Sequence, residues 1–548
     1  MIFIFTIYVR SLPPIMKTQL ILANSFILKF FLFIVCHFSV PIAGATDNNH
    51  STADHKQFEI LQETFKNGPA VTQACLTCHT EAAKQIHKTI HWQWQSIHPD
   101  TKQILGKKVI INSFCGSIVT NYARCTSCHI GYGWKDEHFD FTQEKNVDCL
   151  ICHDTTGTYK KFPTDAGHPT NQDKPFPKGS QKIFKAPNLS YVAQNVGKTS
   201  RKTCGACHFF GGGGDGIKHG DLDSSLTKPN KALDVHMDAQ GLNFNCATCH
   251  TADNHEVQGS RYTLVAKDTH GIDIPGRDDK SRATCESCHG MKPHPNTINN
   301  KINDHTNKVA CQTCHIPTYA RGGVATKIWW DWSKAGRLSP EGKTLKIKNA
   351  QGQVTYSSKK GEFKWGENVL PIYAWYAGNM RFISLDEKID PNQSVAINHF
   401  SGSYHEPNAR IWPFKVMHGR QPYDKGNNTL VISHLFGKDE AAYFRSLNWN
   451  DAIKVAMDAV GADYTGEYDF VSNTHMYWPL SHMIAPKEEA LGCDDCHSQA
   501  GRLNQLGGFY MPGRDRNAWL DWIGWLTVWA TLAIVILHGL GRIVFAKK

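Results

Sequence analysis

At 548 residues the chain is long enough for several domains. Its 41% hydrophobic content, 44 Gly and 24 Pro instead describe a loop-rich protein without an extensive core of its own side chains. The net charge of +10 shrinks to +4 once Arg10, Lys17 and Lys29 near the start and Arg542, Lys547 and Lys548 near the end are set aside, so a nucleic-acid partner is excluded as an expectation.

In chain order, the first element is a secretory leader over 1–45. Lys17 and Lys29 flank the apolar run SFILKFFLFIVCHFSV, PIAGA supplies an A-x-A ending at Ala45, and Met16 offers an alternative start. KQFEILQETFKNG places Phe58, Leu61 and Phe65 on one stripe, which predicts a short amphipathic helix stopped by Gly68. In TEAAKQIHKTIHWQW, His87 and His91 are four apart and are expected to share a helix face. IWWDW (328–332) reads as core packed on a cofactor. TLKIKNAQGQVTY reads as a hairpin turning at NAQG. NDAIKVAMDAVG predicts a helix capped by Asn450, with Ile453, Ala456, Met457 and Val460 inward and Gly461 as its end.

The last element, Trp522 to Gly541, carries no formal charge and is long enough for a bilayer core of about 30 Å. Trp519, Trp522 and Trp525 form a belt on one side, and the cations after the span point the tail inward. His538 within it reads as a helix-packing residue, with ligation of a haem b shared with a partner subunit as the alternative. The expected organisation is a signal peptide over 1–45, one extracytoplasmic domain over 46–515, and a C-terminal anchor with a short cytoplasmic tail over 516–548. The anchor places the domain on the periplasmic side of the inner membrane.

The chemistry lies in the cysteines. C-x-x-C-H occurs at Cys75, Cys78, His79; Cys125, Cys128, His129; Cys149, Cys152, His153; and Cys204, Cys207, His208. It recurs at Cys246, Cys249, His250; Cys285, Cys288, His289; Cys311, Cys314, His315; and Cys493, Cys496, His497. The frequencies of 18 Cys and 29 His predict only about 0.03 such matches by chance. Each motif is a c-type haem attachment site, two thiols bonding the macrocycle and the histidine ligating iron, so eight haems c are expected. Zinc knuckles are disfavoured because structural zinc uses paired C-x-x-C units and every pair here ends in histidine. Cys36, in the leader, and Cys115 are left over. Successive motifs start 50, 24, 55, 42, 39, 26 and 182 residues apart, so there is no repeat array. The expected fold is therefore mainly α, a loop-rich multihaem cytochrome c with one small β-hairpin and a C-terminal transmembrane helix.

Eight irons need up to eight further ligands. Setting aside His50 and His55 in a flexible leader, the candidates are His87, His91, His236, His255, His270, His305, His418, His434, His475 and His482. An iron closed by two histidines only passes electrons, so catalysis needs one that is different. HFFGGGGDGIKHGD offers the means: Gly211 to Gly214 lack Cβ, adopt positive φ freely, and allow close approach of Asp215, Lys218 and His219. A desolvated Lys218 can ligate iron as the neutral amine; otherwise it can hold an anion or deliver protons.

NSFC (112–115) before the second motif and GGGGDGIKHGD after the fourth, added to the eight haem motifs, resemble the octahaem tetrathionate reductase family over roughly Phe58 to Gly507. The resemblance implies seven bis-histidine haems and a catalytic haem at Cys125, Cys128 and His129, with Lys218, Asp215, Asn112 and Cys115 as catalytic residues. It implies a reductase of small sulfur or nitrogen oxyanions, in the class of tetrathionate, nitrite and hydroxylamine. The electron donor expected is a membrane quinol oxidase or a b-type cytochrome. The C-terminal span departs from soluble members of that family. Two other readings stay open: an electron conduit without catalysis, and hydroxylamine oxidation. Oligomeric state is not legible.

Overall fold

A C-x-x-C-H segment must offer two thiols and an imidazole to the same side, and one helical turn does so because positions i, i+3 and i+4 share a face. Each motif in the computed structural model lies in, or at the end of, such a turn. The helices are Gly68–Leu76, Tyr122–Cys125, Leu150–His153, Arg201–His208, Cys246–Cys249, Cys285–His289, Cys311–His315 and Cys493–Cys496. The structure describes residues 51–177, 179–273, 282–295 and 301–546. The leader, with Cys36, His37 and His50, lies outside the described residues, as do Lys547 and Lys548.

Two local expectations near the start are corrected. The helix expected over 56–68 is two single 3-10 turns, His55–Gln57 and Glu59–Leu61. The α-helix starts at Gly68, where an end was expected. The Asn67 side chain accepts from the Ala70 N–H at 3.0 Å, and Pro69 occupies the first turn, where a missing N–H is harmless. His87 and His91 do not share a helix face, because the chain breaks into Ala82–His87 and Ile90–Gln93, the second capped by Thr89.

The larger correction concerns the segment between His315 and Cys493. The protein is not mainly α; it contains 27% helix and 17% strand. With no haem motif in this stretch, the chain buries apolar area against itself, using runs rich in aromatic and β-branched residues. These form β1 (Thr326–Asp331), β2 (Lys346–Lys348), β3 (Val354–Ser357), β4 (Gly361–Gly366), β5 (Ile372–Tyr376), β6 (Ser394–Ala396), β7 (Arg410–Arg420) and β8 (Asn473–Pro479). The mixed sheet runs β6-β8-β7-β1-β4-β3-β2, with β5 antiparallel along the first half of β7. The expected hairpin is its edge, β2 and β3. IWWDW is core, as expected, but protein core: Trp330 stacks on Trp332 at 4.8 Å and both lie in the cluster with Phe363, Trp412 and Phe414. Helix Trp449–Ala459 covers that cluster with Ile453, Ala456 and Met457; its cap is Asn448 rather than Asn450, and Val460 is exposed.

Helix Ala518–Val544 has 27 residues, a mean hydropathy of 1.9 over its most apolar window, and no burial within the chain. By length and composition it is able to cross a membrane.

Candidate functional site

Two imidazoles bound from opposite sides to one metal, each through a nitrogen about 2 Å away, hold their ring centroids about 6 Å apart. Six motif histidines meet a second histidine at that spacing. The pairs are His79 with His55 (6.3 Å), His208 with His91 (6.1 Å), His250 with His482 (6.1 Å), His289 with His236 (6.0 Å), His315 with His294 (6.4 Å) and His497 with His305 (5.9 Å). His255 has His153 as its foremost charged neighbour.

Hydrogen bonds orient many of these rings by Nδ1. His153 meets the Gly197 carbonyl at 2.8 Å, His250 that of Gln258 at 2.8 Å, and His497 that of Pro512 at 3.0 Å. His255 uses Gln85 at 2.7 Å, and His482 uses Asp221 at 3.2 Å. Nδ1 held outward leaves Nε2 for a metal, the usual support given to a ligating histidine. At these paired motifs the residues present fit covalently attached haem ligated on both sides.

His129 is different. Its ring is fully buried among Trp92, Trp94, Trp134, Phe139 and Phe141, at 4.9–6.3 Å between centroids, and no histidine is among these neighbours. Its Nε2 meets the Trp92 carbonyl at 2.7 Å, and Nδ1 has no partner. The segment is fixed by Lys161, which bonds the His129 carbonyl and pairs with buried Asp148 at 3.0 Å.

Near the attachment thiol of the same motif, Cys125, stands the amine of Lys218, 6% exposed. It donates to the Ser113 hydroxyl at 3.1 Å. Burial pushes it down to about 8, with Lys107 and Arg261 adding to the effect and the Cys115 and Cys125 thiols opposing it. Lys327 and Lys360 also lie within electrostatic reach of Cys115, and burial lowers both. The charged neighbours that weigh on these three amines are other cations, Lys107, Arg124, Arg261, Lys346 and Lys415, and the two thiols; a carboxylate is not among them.

Glycine builds this approach. Gly212 sits at φ +90, and a Cβ there would lie 2.9 Å from Cγ and Cε of Lys218. Opposite, Phe114 adopts φ 65, rare for a bulky residue, in the turn that presents Ser113 and Cys115. Full burial of the Phe114 ring under the sheet and a bond from Trp332 Nε1 to its carbonyl hold that conformation.

The motifs are also ordered in space. Cys75 and Cys149 are neighbours, as are Cys204 and Cys246, and Cys285 and Cys311. Cys152 is a charge neighbour of Cys204, Cys249 of Cys288, and Cys314 of Cys496. First, third, fourth, fifth, sixth, seventh and eighth motifs thus form one line. The second joins it sideways, through Cys128 and Cys207.

The crystal structure of octaheme cytochrome c from Shewanella oneidensis matches with a TM-score of 0.70 and 42% identity, covering 82% of this chain and 95% of that one. The chain belongs to the octahaem cytochromes c. The family described as "Cytochrome c bacterial" matches residues 327–500. A protein of Archaeoglobus fulgidus, described as an uncharacterized protein, is 22% identical over 295 residues, which is 45% of this chain and 97% of its own.

In this octahaem cytochrome, four of the ten expected partner histidines face a motif histidine, His91, His236, His305 and His482, and a fifth, His255, has His153 as its foremost charged neighbour. The other five do not. His87 stacks on Trp92, His270 bonds Asp268, and His434 has both nitrogens engaged, by the Thr120 carbonyl and by Asp439. His418 and His475 face each other across β7 and β8. His55 and His294 were missed: the first stands in a polar segment taken as leader, and the second lies in the short Pro-flanked loop KPHP.

Two expected catalytic side chains are oriented elsewhere. The carboxylate of Asp215 accepts from the Ser224 N–H at 2.9 Å and from its hydroxyl, tying down the glycine loop rather than entering the pocket. Asn112 donates to Gln421 and accepts from the Phe114 N–H at 2.8 Å, which shapes the turn carrying Ser113 and Cys115.

Proposed function

We propose that this octahaem cytochrome is an anchored extracytoplasmic reductase of a small sulfur or nitrogen oxyanion, tetrathionate in the first place, acting between His129 and Lys218. The observation that carries the reading is the second motif, whose His129 ring faces aromatic side chains rather than an imidazole and whose Cys125 thiol has the buried Lys218 amine as a neighbour. Burial holds Lys218 down at about 8, below the ordinary lysine value, a bias against its charged form that a bound anion offsets. A cleft lined with one sign of charge also concentrates ligands of the other.

Haems, which the sixteen motif cysteines and the motif histidines would hold, would supply one-electron transfer; at the second motif Cys125 and Cys128 would carry the group, and His129 would have to give up its bond to the Trp92 carbonyl to ligate it. The chain's own residues do the rest. Lys218, with Lys360 and Lys327 behind it, binds and orients the anion, and the Lys218 ammonium has a proton to give to a developing oxyanion. The aromatic cage of Trp92, Trp94 and Trp134 keeps water from His129. Cys115 sets its thiol where a sulfur substrate would rest. An electron pair delivered to tetrathionate cleaves its central S–S bond, and two thiosulfate ions leave. The helix 518–544 acts as the anchor, and the donor is a quinol-oxidising component of the membrane.

The test is turnover of purified protein with tetrathionate, nitrite and hydroxylamine, reduced viologen supplying electrons, in wild type and Lys218→Ala. Loss of turnover in the variant with all haems attached supports the reading; unchanged turnover sinks it. The line of motifs that bypasses the second one favours the rival, a conduit without catalysis. That rival requires a ferric spectrum made only of low-spin bis-histidine signals.

A further inference from the structure

Lys415 is out of character for its strand. β7 runs IWPFKVM through the interior of the sheet, Phe414 and Met417 are fully buried in the sheet cluster, and Lys415 is fully buried beside them. Burying an amine costs free energy unless its N–H groups find acceptors. Those of Lys415 do: it donates to the Ile217 carbonyl at 3.0 Å and to the hydroxyl of Thr326, the first residue of β1. The Thr326 hydroxyl in turn donates to the Gly216 carbonyl at 2.7 Å. Two bonds need only two N–H groups, which a neutral amine keeps, so the arrangement survives the burial that pushes Lys415 down to about 7.

Both carbonyls belong to the loop that carries Lys218. They sit in the peptide units on either side of Ile217, and a peptide unit is planar, so holding its oxygen also holds the N and Cα of the next residue. The Ile217 carbonyl shares its plane with the N and Cα of Lys218. Packing leaves the loop little play: a Cβ at Gly214 would fall 2.4 Å from Cδ1 of Ile217, and one at Gly216 would fall 3.4 Å from Cγ1 of Val324. At the other end of the side chain the Lys218 amine reaches the Ser113 hydroxyl at 3.1 Å. Lys218 is thus gripped at its root from the sheet and at its tip from the 112–115 turn. Lys415 and Thr326 are at most 1% exposed, so protein atoms alone enclose the grip at the root.

We infer that Lys415 and Thr326 are positioning residues for the reaction at Lys218: they fix the Ile217–Lys218 peptide unit so that the Lys218 amine already stands where the substrate anion arrives. The inference deepens the reading of Lys218 as the anion anchor and rests on it. A group held in place before its ligand arrives loses little freedom on binding. Neither residue touches the substrate; both act through the lysine.

The experiment is tetrathionate turnover by the full haem-loaded chain, reduced viologen supplying electrons, in Lys415→Met, Thr326→Val and Thr326→Ser. Met fills the space of Lys415 without a donor, Val fills that of Thr326 without a hydroxyl, and Ser keeps the hydroxyl. Lys415→Met and Thr326→Val should raise KM about tenfold with kcat within about threefold, the pattern of a displaced binding group rather than a lost reaction step. Thr326→Ser should keep the wild-type KM. Added to Lys218→Ala, Lys415→Met should raise KM no further, because it acts through that amine. Wild-type KM in both Lys415→Met and Thr326→Val would overturn the inference. So would an equal rise in Thr326→Val and Thr326→Ser, or a rise that persists undiminished in the Lys218→Ala background, since either marks a general loosening of the fold. If Lys415→Met fails to fold, the two Thr326 variants decide. Unchanged turnover in Lys218→Ala would remove the reading of the pocket and this inference with it; reduced turnover there, beside wild-type KM in Lys415→Met and Thr326→Val, would remove this inference alone.

Discussion

Residues 51–315 and 316–492 solve the same problem in opposite ways. The first region carries seven of the eight haem motifs and consists of short helices, bends and short ladders; the second carries none and contains an eight-stranded sheet. Where a covalent macrocycle supplies apolar surface, the chain needs only to present thiols and imidazoles. Where none does, backbone hydrogen bonds and side-chain packing have to close the core. The candidate pocket sits where the regions meet: Lys218 and Gly212 come from the first, Lys327 and Lys360 from the second, and Phe114 is a plug from the first buried under the second.

Haem removal should break the comparison most. Protein produced without haem attachment should lose hydrogen-exchange protection throughout 51–315, while strands 410–420 and 473–479 keep theirs. Equal loss in both regions would show that the sheet depends on the haems too. Next in size is Trp330→Ala, which opens a cavity at the centre of the sheet cluster and should cost about 3–5 kcal/mol in chemical unfolding. Its effect on the haem spectrum should be small, because Trp330 packs on Trp332 and Phe363 rather than on a motif.

Lys218→Ala tests the seam. Removing a preorganised donor at a reacting anion typically costs about 10²–10³ in turnover, and that loss should appear without loss of haem. Gly212→Ala is milder: its Cβ meets the Lys218 side chain at 2.9 Å and its φ of +90 disfavours any L residue, so the lysine has to shift. It should raise KM more than it lowers kcat, since it displaces the anchor without deleting it.

The two regions were unequally legible in the sequence. Haem attachment is written in contiguous residues because two thiols and a histidine must share one helical turn, so every motif could be read directly. The partner histidines are not contiguous with anything. His91 meets His208, His482 meets His250 and His305 meets His497 only after the chain has folded, and spacing carries no trace of it. The sheet was missed for another reason. The run IWPFKVM is buried on both faces and IYAWY is continuously apolar in sequence, so neither shows the alternation of apolar and polar residues that marks a half-exposed strand. At the pocket, GGGGDGIKHGD marked the loop, and Lys218 does lie near Cys125. The direction of Asp215 depended on Ser224, nine residues on, which no local rule picks out.

The finest distinction is whether Lys218 acts as a cation or as a neutral amine, and pH separates the two. Its value in the folded protein is about 8, below the ordinary 10.5, and the leading cause is burial. As an anion anchor it is charged below about 8 and loses its proton above. KM for tetrathionate should therefore be flat up to about pH 8 and rise up to tenfold per unit beyond it, with the rise absent in Lys218→Met. A neutral iron ligand gives the reverse trend, better closure of the metal with rising pH. Stability moves the other way from affinity. Between about 8 and 10.5 the unfolded chain binds the proton that the folded chain has released, so this group makes the protein more stable as pH rises through that window. Substrate binding that weakens over the same interval in which the unfolding midpoint rises, with both trends removed in Lys218→Met, is the signature of a buried ammonium holding an anion.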